Sequence, residues 1–152
     1  MKKLLFVVDP LDQFKVYKDT TFSIMREAQW RGYLIAACLP QDIQWKSGGF
    51  VMATVQQISL TGSQPGWYRV HNTMRMALKD FDAVLMRKDP PFNAEYIYAT
   101  HLLEQAERED GNVVNRPRAL RDHPEKLAIM EFPELVPPTL VTRNAASVRD
   151  FH

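Results

Sequence analysis

An apolar run ends in a cluster of charges and prolines at the stretch Leu85-Met86-Arg87-Lys88-Asp89-Pro90-Pro91-Phe92. Residues 83–86 are apolar and predict a short buried strand, and the three charges that follow mark the point where this strand must end. Pro90 and Pro91 have no amide hydrogen to donate, so a central strand cannot continue through them, and each restricts the residue before it to extended geometry. The pattern predicts a stiff, charged loop at the carboxyl end of a strand, which is where open α/β sheets bind their ligands.

The start of the chain predicts a strand, a helix and a second strand. Residues 4–8 form a continuous apolar run, as expected of a parallel strand that is covered on both faces, and Asp9-Pro10 ends it. Asp19 is a favourable helix N-cap, and Gly32 suits the end of that helix. Apolar positions at helical spacing lie between them, at Thr21, Ile24, Met25 and Ala28. Because residues 33–39 form the next apolar strand, this βαβ unit predicts two parallel strands joined by a right-handed crossover.

The middle of the chain predicts antiparallel structure. Gly48-Gly49 suits a hairpin turn between residues 44–47 and residues 50–60, where apolar side chains alternate. Residues 61–66 have the composition of a surface loop, and residues 67–70 predict another short strand. We expect this extra β-hairpin at an edge of the sheet or on one face of the domain.

The chain then returns to an alternation of helices and strands. Residues 94–109 predict a helix that Asn93 caps and Asp110-Gly111 ends, and residues 113–114 predict a short strand before the chain turns away. Strands that alternate with helices predict an α/β domain with a doubly wound, mainly parallel sheet. We place this domain at residues 1–121.

Residues 122–152 differ in character, with prolines at positions 133, 137 and 138 that interrupt them. They predict a short helix over residues 124–131, a strand over residues 139–141, and a further helix that begins at Asn144 and reaches His152 without a cap. Because these elements have no evident core of their own, we expect them to be the beginning of a second domain, and the sequence to be a fragment.

The composition excludes several classes of protein. Of the 152 residues, 45% are apolar and 24% are charged, which is ordinary for a globular protein with a core of its own. The formal net charge of +1 gives no reason to expect a nucleic-acid partner or an acidic membrane partner. Cys38 is the one cysteine, so it can form neither an intrachain disulfide nor a cysteine metal site, and a buried thiol in a reducing compartment is expected. The apolar run at residues 4–8 is too short for a signal peptide or a membrane span, so we expect a cytoplasmic protein.

The predicted strands at residues 4–8 and 83–86 both end in polar residues. If the two strands are parallel and near neighbours, six charged residues gather on one rim of the sheet: Asp9, Asp12, Lys15, Lys18, Arg87 and Lys88. Arg87 can then hold a ligand carboxylate through two parallel hydrogen bonds, and Lys88 can add a point charge. Asp9 or Asp12 can meet a ligand ammonium group. Such a rim suits a zwitterionic, amino-acid-like substrate.

A purely structural role explains the same residues. Arg87 can instead form an ion pair with Asp89 or Asp9, and Lys88 can simply be solvated. For Arg87 the sequence leaves both interpretations open, whereas for Lys88 it favours the solvated one.

Signals for other kinds of site are weak. The sequence contains neither GxGxxG nor GxxxxGK[ST], the two common phosphate-binding fingerprints. Asp19 at a helix N-terminus would repel an anion, although Thr20 and Thr21 can still donate hydrogen bonds. His71, His101 and His123 lack the spacing of metal ligands, so no metal site is predicted. No pair of nucleophile and base can be assembled, and we expect no catalytic residue in this chain.

Ten short motifs along the chain together resemble one known family. In order they are Val8-Asp9-Pro10, Lys18-Asp19-Thr20-Thr21-Phe22, Glu27-Ala28-Gln29, Arg31-Gly32-Tyr33, the stretch at 85–92, Tyr96-Ile97-Tyr98-Ala99-Thr100, Val114-Asn115-Arg116-Pro117, Leu120-Arg121-Asp122, Glu125-Lys126-Leu127 and Thr139-Leu140-Val141-Thr142-Arg143-Asn144. Their order and spacing resemble prokaryotic glutathione synthetase, and residues 41–79 depart most from that pattern.

The resemblance implies an amino-terminal, Rossmann-like pre-ATP-grasp domain at residues 1–121, followed by the first elements of an ATP-grasp domain at residues 122–152. It implies a ligase that joins γ-glutamylcysteine to glycine with ATP and Mg²⁺, through an acyl phosphate. Arg87 would contact γ-glutamylcysteine, and Lys126 would contact the nucleotide. Lys88, Asp9, Lys18, Asp19 and Thr20 are further substrate-binding candidates on the same rim.

The resemblance also implies that the mobile glycine-rich loop, the magnesium ligands and most of the nucleotide pocket of the family follow His152, so this chain alone is expected to be inactive. Two functions remain open on sequence grounds. One is the substrate-binding domain of an ATP-dependent ligase, and the other is a stand-alone pre-ATP-grasp module that binds a ligand or a partner without catalysis. Small molecules are the expected ligands, and a homo-oligomer is compatible with either function.

Overall fold

A computed structural model describes residues 1–62, 66–89 and 91–151 of the chain. The chain forms two compact units, Met1–Asp122 and His123–His152, and each is described by itself. Three sequence-based expectations involve residues outside the described ranges: the stiffening effect of Pro90, the surface loop at residues 63–65, and the chain end at His152.

The first unit is built on a sheet that contains seven strands among the described residues. In chain order these are β1 (Lys3–Val7), β2 (Leu34–Cys38), β3 (Ile43–Gln44), β4 (Met52–Leu60), β5 (Tyr68–Ala77), β6 (Ala83–Met86) and β7 (Val113–Val114). Their spatial order is β3-β4-β2-β1-β6-β7, and β5 pairs with β4. Strands β2, β1, β6 and β7 are mutually parallel, while β3, β4 and β5 add antiparallel pairs at one side. The unit is therefore a mixed α/β domain whose sheet is mostly parallel.

Strand β1 is central and is buried on both faces. Leu5 and Val7 belong to one apolar cluster of the core, and Phe6 and Val8 belong to a second cluster on the opposite face. This is the reason for the continuous apolar run in the sequence, because a parallel strand covered on both faces has no polar side to alternate with.

Two helices cover the two faces of this sheet. Helix α1 (Thr20–Trp30) packs Phe22, Met25 and Ala28 into the cluster that contains Phe6. Helix α2 (Ala94–Arg108) packs Ala99, Leu103 and Ala106 into the cluster that contains Leu5. The predicted arrangement of helices on both faces is confirmed.

The predicted helix ends are also confirmed. One carboxylate oxygen of Asp19 accepts hydrogen bonds from the amides of Thr21 and Phe22, and Gly32 follows the helix with a φ of 74° that suits glycine. The side chain of Asn93 accepts a hydrogen bond from the amide of Tyr96 at the start of α2. Asp110, with a φ of 67°, ends that region, so the predicted boundary of residues 94–109 agrees with the structure to within one residue.

The antiparallel part differs from the prediction in its extent. The first predicted strand, residues 44–47, is reduced to β3, which ends at Gln44, and the second predicted strand is β4. The main hairpin instead joins β4 to β5, and β5 extends to Ala77 rather than ending at Val70. Most side chains of β5 are exposed, so this edge strand lacks the apolar alternation that would have predicted its length. The sequence placed the predicted hairpin at a sheet edge or on one face of the domain, and of these two the edge agrees with β5, which pairs only with β4 among the described residues.

The end of the first unit contains a helix that the sequence did not predict, α3 (Pro117–Asp122), with proline in its first turn. The sequence predicts only a turn at residues 115–117.

In the second unit, the predicted helix over residues 124–131 is wrong in type, because turns lead into a 3₁₀ helix at Ala128–Glu131. A second 3₁₀ helix follows at Pro133–Leu135. The predicted strand over residues 139–141 is wrong, since these residues pair with no strand among the described residues. The predicted last helix is confirmed as α4 (Ala145–Phe151), which begins directly after Asn144.

Within the described residues, no helix combines the length and the apolar character that crossing a membrane requires.

Candidate functional site

The site lies where the carboxyl ends of β1 and β6 meet. Val7 and Met86 are paired in register, and the amide of Arg87 donates to the carbonyl of Val7 at 2.8 Å. From β1 the chain passes through α1 to β2 on one side, whereas from β6 it passes through α2 to β7 on the other. The two neighbouring strands thus form a topological switch point, which is the usual ligand-binding position in open α/β sheets.

Asp9 links the two strand ends directly. One of its carboxylate oxygens lies 2.7 Å from Lys88 Nζ, and the other accepts a hydrogen bond from the amide of Asp89 at 2.9 Å. The Lys88 side chain is 23% exposed and also donates to the carbonyl of Asp89. The interpretation of Lys88 as a merely solvated side chain is therefore wrong, because Lys88 and Asp9 together hold the loop that follows β6 against the end of β1.

Arg87 has different partners from those considered on sequence grounds. Its Nε donates to Thr21 Oγ1 at 3.1 Å, and its Nη2 donates to Thr20 Oγ1 at 2.9 Å. No carboxylate among the described residues forms an ion pair with Arg87, so the structural alternative that the sequence left open, an ion pair with Asp89 or Asp9, is wrong. The guanidinium is held against the first turn of α1 by neutral hydroxyls, which leave its charge uncompensated by an ion pair.

One carboxylate oxygen of Asp19 caps this turn, so this oxygen is not available to a ligand. Its Oδ1 accepts from the amides of Thr21 and Phe22, at 2.7 and 3.1 Å. The amides at this helix end are therefore occupied by a carboxylate of the chain itself. Thr21 is buried, with 4% of its surface exposed, so its hydroxyl is held in place by packing as well as by the cap.

A cavity of about 380 Å³ opens beside Arg87. It is lined by three cationic side chains, two carboxylates and three neutral polar ones: Lys15, Lys18, Arg87, Asp19, Asp89, Gln13, Thr20 and Thr21. A smaller cavity of about 240 Å³ shares five of these residues and extends to Asp9 and Phe14. We call the two together the Arg87 cavity. Its lining is mainly polar and carries three cations and three carboxylates, a balance that suits a small zwitterionic ligand.

A second cavity, of about 370 Å³, lies beyond Asp9 at the ends of β1 and β2 and is lined by Asp12 and Tyr68, among others. The hydroxyl of Tyr68 donates to Asp12 Oδ1 at 2.8 Å. Burial, together with this bond to Asp12, raises the pKa of Tyr68, so the tyrosine stays a neutral donor at neutral pH. Asp12 therefore belongs to the predicted rim but is not part of the Arg87 cavity.

Cys38 lines the same second cavity and is buried. Burial raises the pKa of its thiol to about 12. Because the thiolate is the reactive form, the expected inert, structural cysteine agrees with this environment.

One neighbour of Arg87 was missed on sequence grounds. Burial raises the pKa of Tyr96, in α2, and the positive charge of Arg87 opposes that shift. The sequence position of Tyr96, in the first turn of a helix that starts beside the charged loop, is the feature that could have indicated this.

Lys126, the predicted nucleotide contact, lies in the second unit. Its side chain is exposed, and Nζ lies 2.8 Å from Glu125 Oε1. The hydrogen bond to Glu125 raises the pKa of Lys126. Among residues 1–62, 66–89 and 91–151, no group of three or more His, Cys, Asp or Glu side chains is placed to hold a metal ion.

Comparison with known proteins agrees with the resemblance of the motifs. A family model described as "Prokaryotic glutathione synthetase, N-terminal domain" matches residues 2–121. Among curated relatives, glutathione synthetase of Ralstonia nicotianae is 51% identical over 150 residues, covering 99% of this chain and 46% of the relative. The enzymes of Nitrosomonas europaea and Vibrio cholerae are each 45% identical, covering 98% and 99% of this chain and 47% of each relative.

The chain spans about half the length of the curated relatives it matches. The matched family model covers most of the chain, including the ends of β1 and β6 and the start of α1, which surround the Arg87 cavity. The chain therefore belongs to the family of prokaryotic glutathione synthetase N-terminal domains.

Proposed function

We propose that this chain is the substrate-binding part of an ATP-dependent ligase that joins γ-glutamylcysteine to glycine, and that γ-glutamylcysteine binds in the Arg87 cavity. The observation that carries this proposal is the guanidinium of Arg87, held at the switch point by two hydroxyls and not neutralised by a carboxylate of the described residues. A charged dipeptide needs such a fixed cation, because a carboxylate that leaves water must regain charge-assisted hydrogen bonds.

The roles of the rim residues divide according to their contacts. Arg87 would bind a carboxylate of the dipeptide, and Lys18 would add positive charge from the edge of the same cavity. Asp9 and Lys88 neutralise each other, so their role in the proposal is to hold the loop. Asp19 and Thr20 would act through the first turn of α1, by fixing its geometry and the orientation of Arg87.

ATP and Mg²⁺ enter the proposal through the family alone. The first unit would be the pre-ATP-grasp domain and the second unit the start of an ATP-grasp domain, in which Lys126 would contact the nucleotide. The described residues do not form a magnesium site, and Lys126 is the one nucleotide contact proposed among them. In this proposal the part of the chain is to bind and orient the dipeptide, in the cytoplasm.

A second candidate is a binding module without catalysis. The observation that favours it is that every residue lining the Arg87 cavity belongs to the first unit, which has its own core. Such a module would bind the same ligand, so ligand binding by this chain tests the site under either candidate.

The proposal is tested by titrating the ¹⁵N-labelled chain with γ-glutamylcysteine and following amide shifts by NMR. We expect concentration-dependent shifts at residues 9–21 and 87–89 and none along β5. Glycine alone, which has a carboxylate but lacks the glutamyl group, is the control and should shift these amides less than γ-glutamylcysteine does at the same concentration. Shifts confined to other parts of the chain, or equal shifts with glycine, would contradict the assignment.

A further inference from the structure

The two hydroxyls that hold Arg87 occupy one particular side of its guanidinium. The group carries five N–H donors in a planar fork. The Nε hydrogen and one Nη2 hydrogen lie along the same lateral edge, and these are the nitrogens that donate to Thr21 and Thr20. Nη1 has no hydrogen-bond acceptor among the described residues, and Nη2 has one acceptor, Thr20 Oγ1, for its two hydrogens.

The positions of both hydroxyls are determined by the start of α1. Asp19 caps the helix by accepting from the amides of Thr21 and Phe22, and this fixes the backbone of the first turn. Threonine is branched at Cβ, so in a helix its χ1 angle is divided between two rotamers, and the bond to Arg87 selects one of them. Thr21 is in addition 96% buried, as its exposed fraction of 4% shows. The lateral edge of Arg87 thus meets one acceptor that packing holds in place, Thr21 Oγ1, and a second, exposed acceptor, Thr20 Oγ1.

From this geometry we infer that Thr20 and Thr21 are positioning residues for Arg87, and that a ligand carboxylate binds end-on, at Nη1 and Nη2. The inference rests on the proposed function for the identity of the ligand, γ-glutamylcysteine. It adds the direction from which the carboxylate approaches and the residues that enforce this direction. A side-on approach through Nε would require breaking both threonine bonds.

The consequence is a pre-oriented cation. Because its lateral edge is bonded, the Arg87 side chain is already held in one rotamer before the ligand binds. Less conformational freedom is therefore lost on binding. The terminal edge, formed by Nη1 and Nη2, still offers two parallel N–H bonds, which match the two oxygens of a carboxylate. Lysine at this position would keep the charge but could not be fixed by one edge while binding through another.

The first test uses no ligand. In the ¹⁵N-labelled chain, the Nε–H signal of Arg87 should exchange slowly with water, because its hydrogen is bonded to Thr21 Oγ1. The double variant T20V/T21V keeps the side-chain shapes and removes both acceptors, and we expect this exchange to become about tenfold faster or more. The single variant T21S keeps a hydroxyl at position 21, so its Nε–H exchange should stay slow. S23A is the matched control, because the hydroxyl of Ser23 lies in the same turn but donates to the carbonyl of Asp19.

The second test uses γ-glutamylcysteine and, separately, acetate as the simplest carboxylate. Binding should shift the Nη signals of Arg87 and leave the exchange of Nε–H slow. In T20V/T21V, the affinity for γ-glutamylcysteine should fall about 3- to 30-fold, with thermal melts confirming that the variant remains folded.

The outcomes separate this inference from the proposed function. Nε–H exchange that is unchanged in T20V/T21V overturns the positioning role. A Nε–H signal that shifts on ligand binding and loses its slow exchange overturns end-on binding, and so does the absence of any Arg87 shift with both probes. Shifts of the Nη signals with acetate but not with γ-glutamylcysteine support end-on binding and contradict the proposed substrate.

Discussion

The two units of the chain contain the same kinds of apolar side chains but differ in how much of them they bury. In the first unit Leu5, Phe6 and Leu103 have no exposed surface. In the second unit none of the described residues is buried, and Phe132 and Leu135 are 52% and 76% exposed. The difference shows that apolar residues form a core only where the chain also supplies surfaces to pack against, here the two faces of a sheet.

The largest difference that we expect between the units is in hydrogen exchange. Amides of β1 should exchange only through global unfolding, whereas amides of α4 should exchange orders of magnitude faster, because a seven-residue helix without buried side chains is marginal by itself. Exchange followed by mass spectrometry or NMR measures both in one sample. Equal protection of the two elements would contradict the contrast.

A matched pair of core and surface substitutions sharpens the comparison. Leu103→Ala removes a fully buried side chain of α2 and should lower the free energy of unfolding by about 2–5 kcal/mol. Leu135→Ala, in the second unit, should change it by less than about 0.5 kcal/mol, because that side chain is already exposed to water. Urea unfolding of the two variants gives the comparison, and similar losses would show that the second unit has a core after all.

The N-cap of α1 should have an effect of intermediate size. Asp19→Ala removes the acceptor of two backbone amides at the helix start and should destabilise the first unit by about 0.5–2 kcal/mol. Asp19→Asn keeps an acceptor oxygen and should recover most of that loss. The midpoints of urea unfolding measure the stability of the two variants. An alanine variant as stable as the asparagine variant would show that the cap contributes nothing measurable.

The sequence-based predictions agree with the structure more closely for the buried elements of the first unit than for its exposed edge strand and for the second unit. Strands β1 and β6 and helices α1 and α2 were predicted because continuous apolar runs, helical spacing and capping residues are all local signals. The length of β5 was missed because an exposed edge strand has no apolar alternation, and the strand at 139–141 was predicted wrongly because a strand also requires a partner.

Side-chain partners in the site could be predicted only in part. The sequence placed Asp9 and Arg87 on one rim, because parallel neighbours bring their carboxyl ends together. It did not predict that Arg87 bonds Thr20 and Thr21, which lie 67 and 66 positions away, or that Tyr68 bonds Asp12 across 56 positions. Periodicity determines the face on which a residue lies, but it does not determine which of several polar neighbours a side chain reaches.

The smallest effect that we expect is a dependence on pH within the first unit. Glu104 of α2 accepts a hydrogen bond from Arg121 of α3, which lowers the pKa of Glu104 below its ordinary value of 4.5. A pKa lowered by folding contributes stability above pH 4.5, and that contribution is lost as the pH falls through the folded-state value.

The variant Glu104→Gln should therefore melt at a lower temperature than the wild type at pH 7, and the difference should shrink as the pH falls below 4.5. Glu27→Gln, which removes an exposed carboxylate on α1, is the control. A difference between wild type and Glu104→Gln that stays constant from pH 7 to pH 3 would show that the carboxylate charge is not the cause.

The central claim, that Arg87 binds the substrate, is tested most directly by calorimetric titration and a thermal melt on the same preparations. Arg87→Ala should weaken the binding of γ-glutamylcysteine by about 1.5–3 kcal/mol, roughly 10- to 100-fold, while the melting temperature stays close to that of the wild type. Arg87→Lys should keep only part of the affinity. The control is Arg118→Ala, which removes an exposed arginine of α3 and should leave the affinity at the wild-type value. An Arg87→Ala variant with a lowered melting temperature and unchanged affinity would contradict the claim and make Arg87 a structural brace.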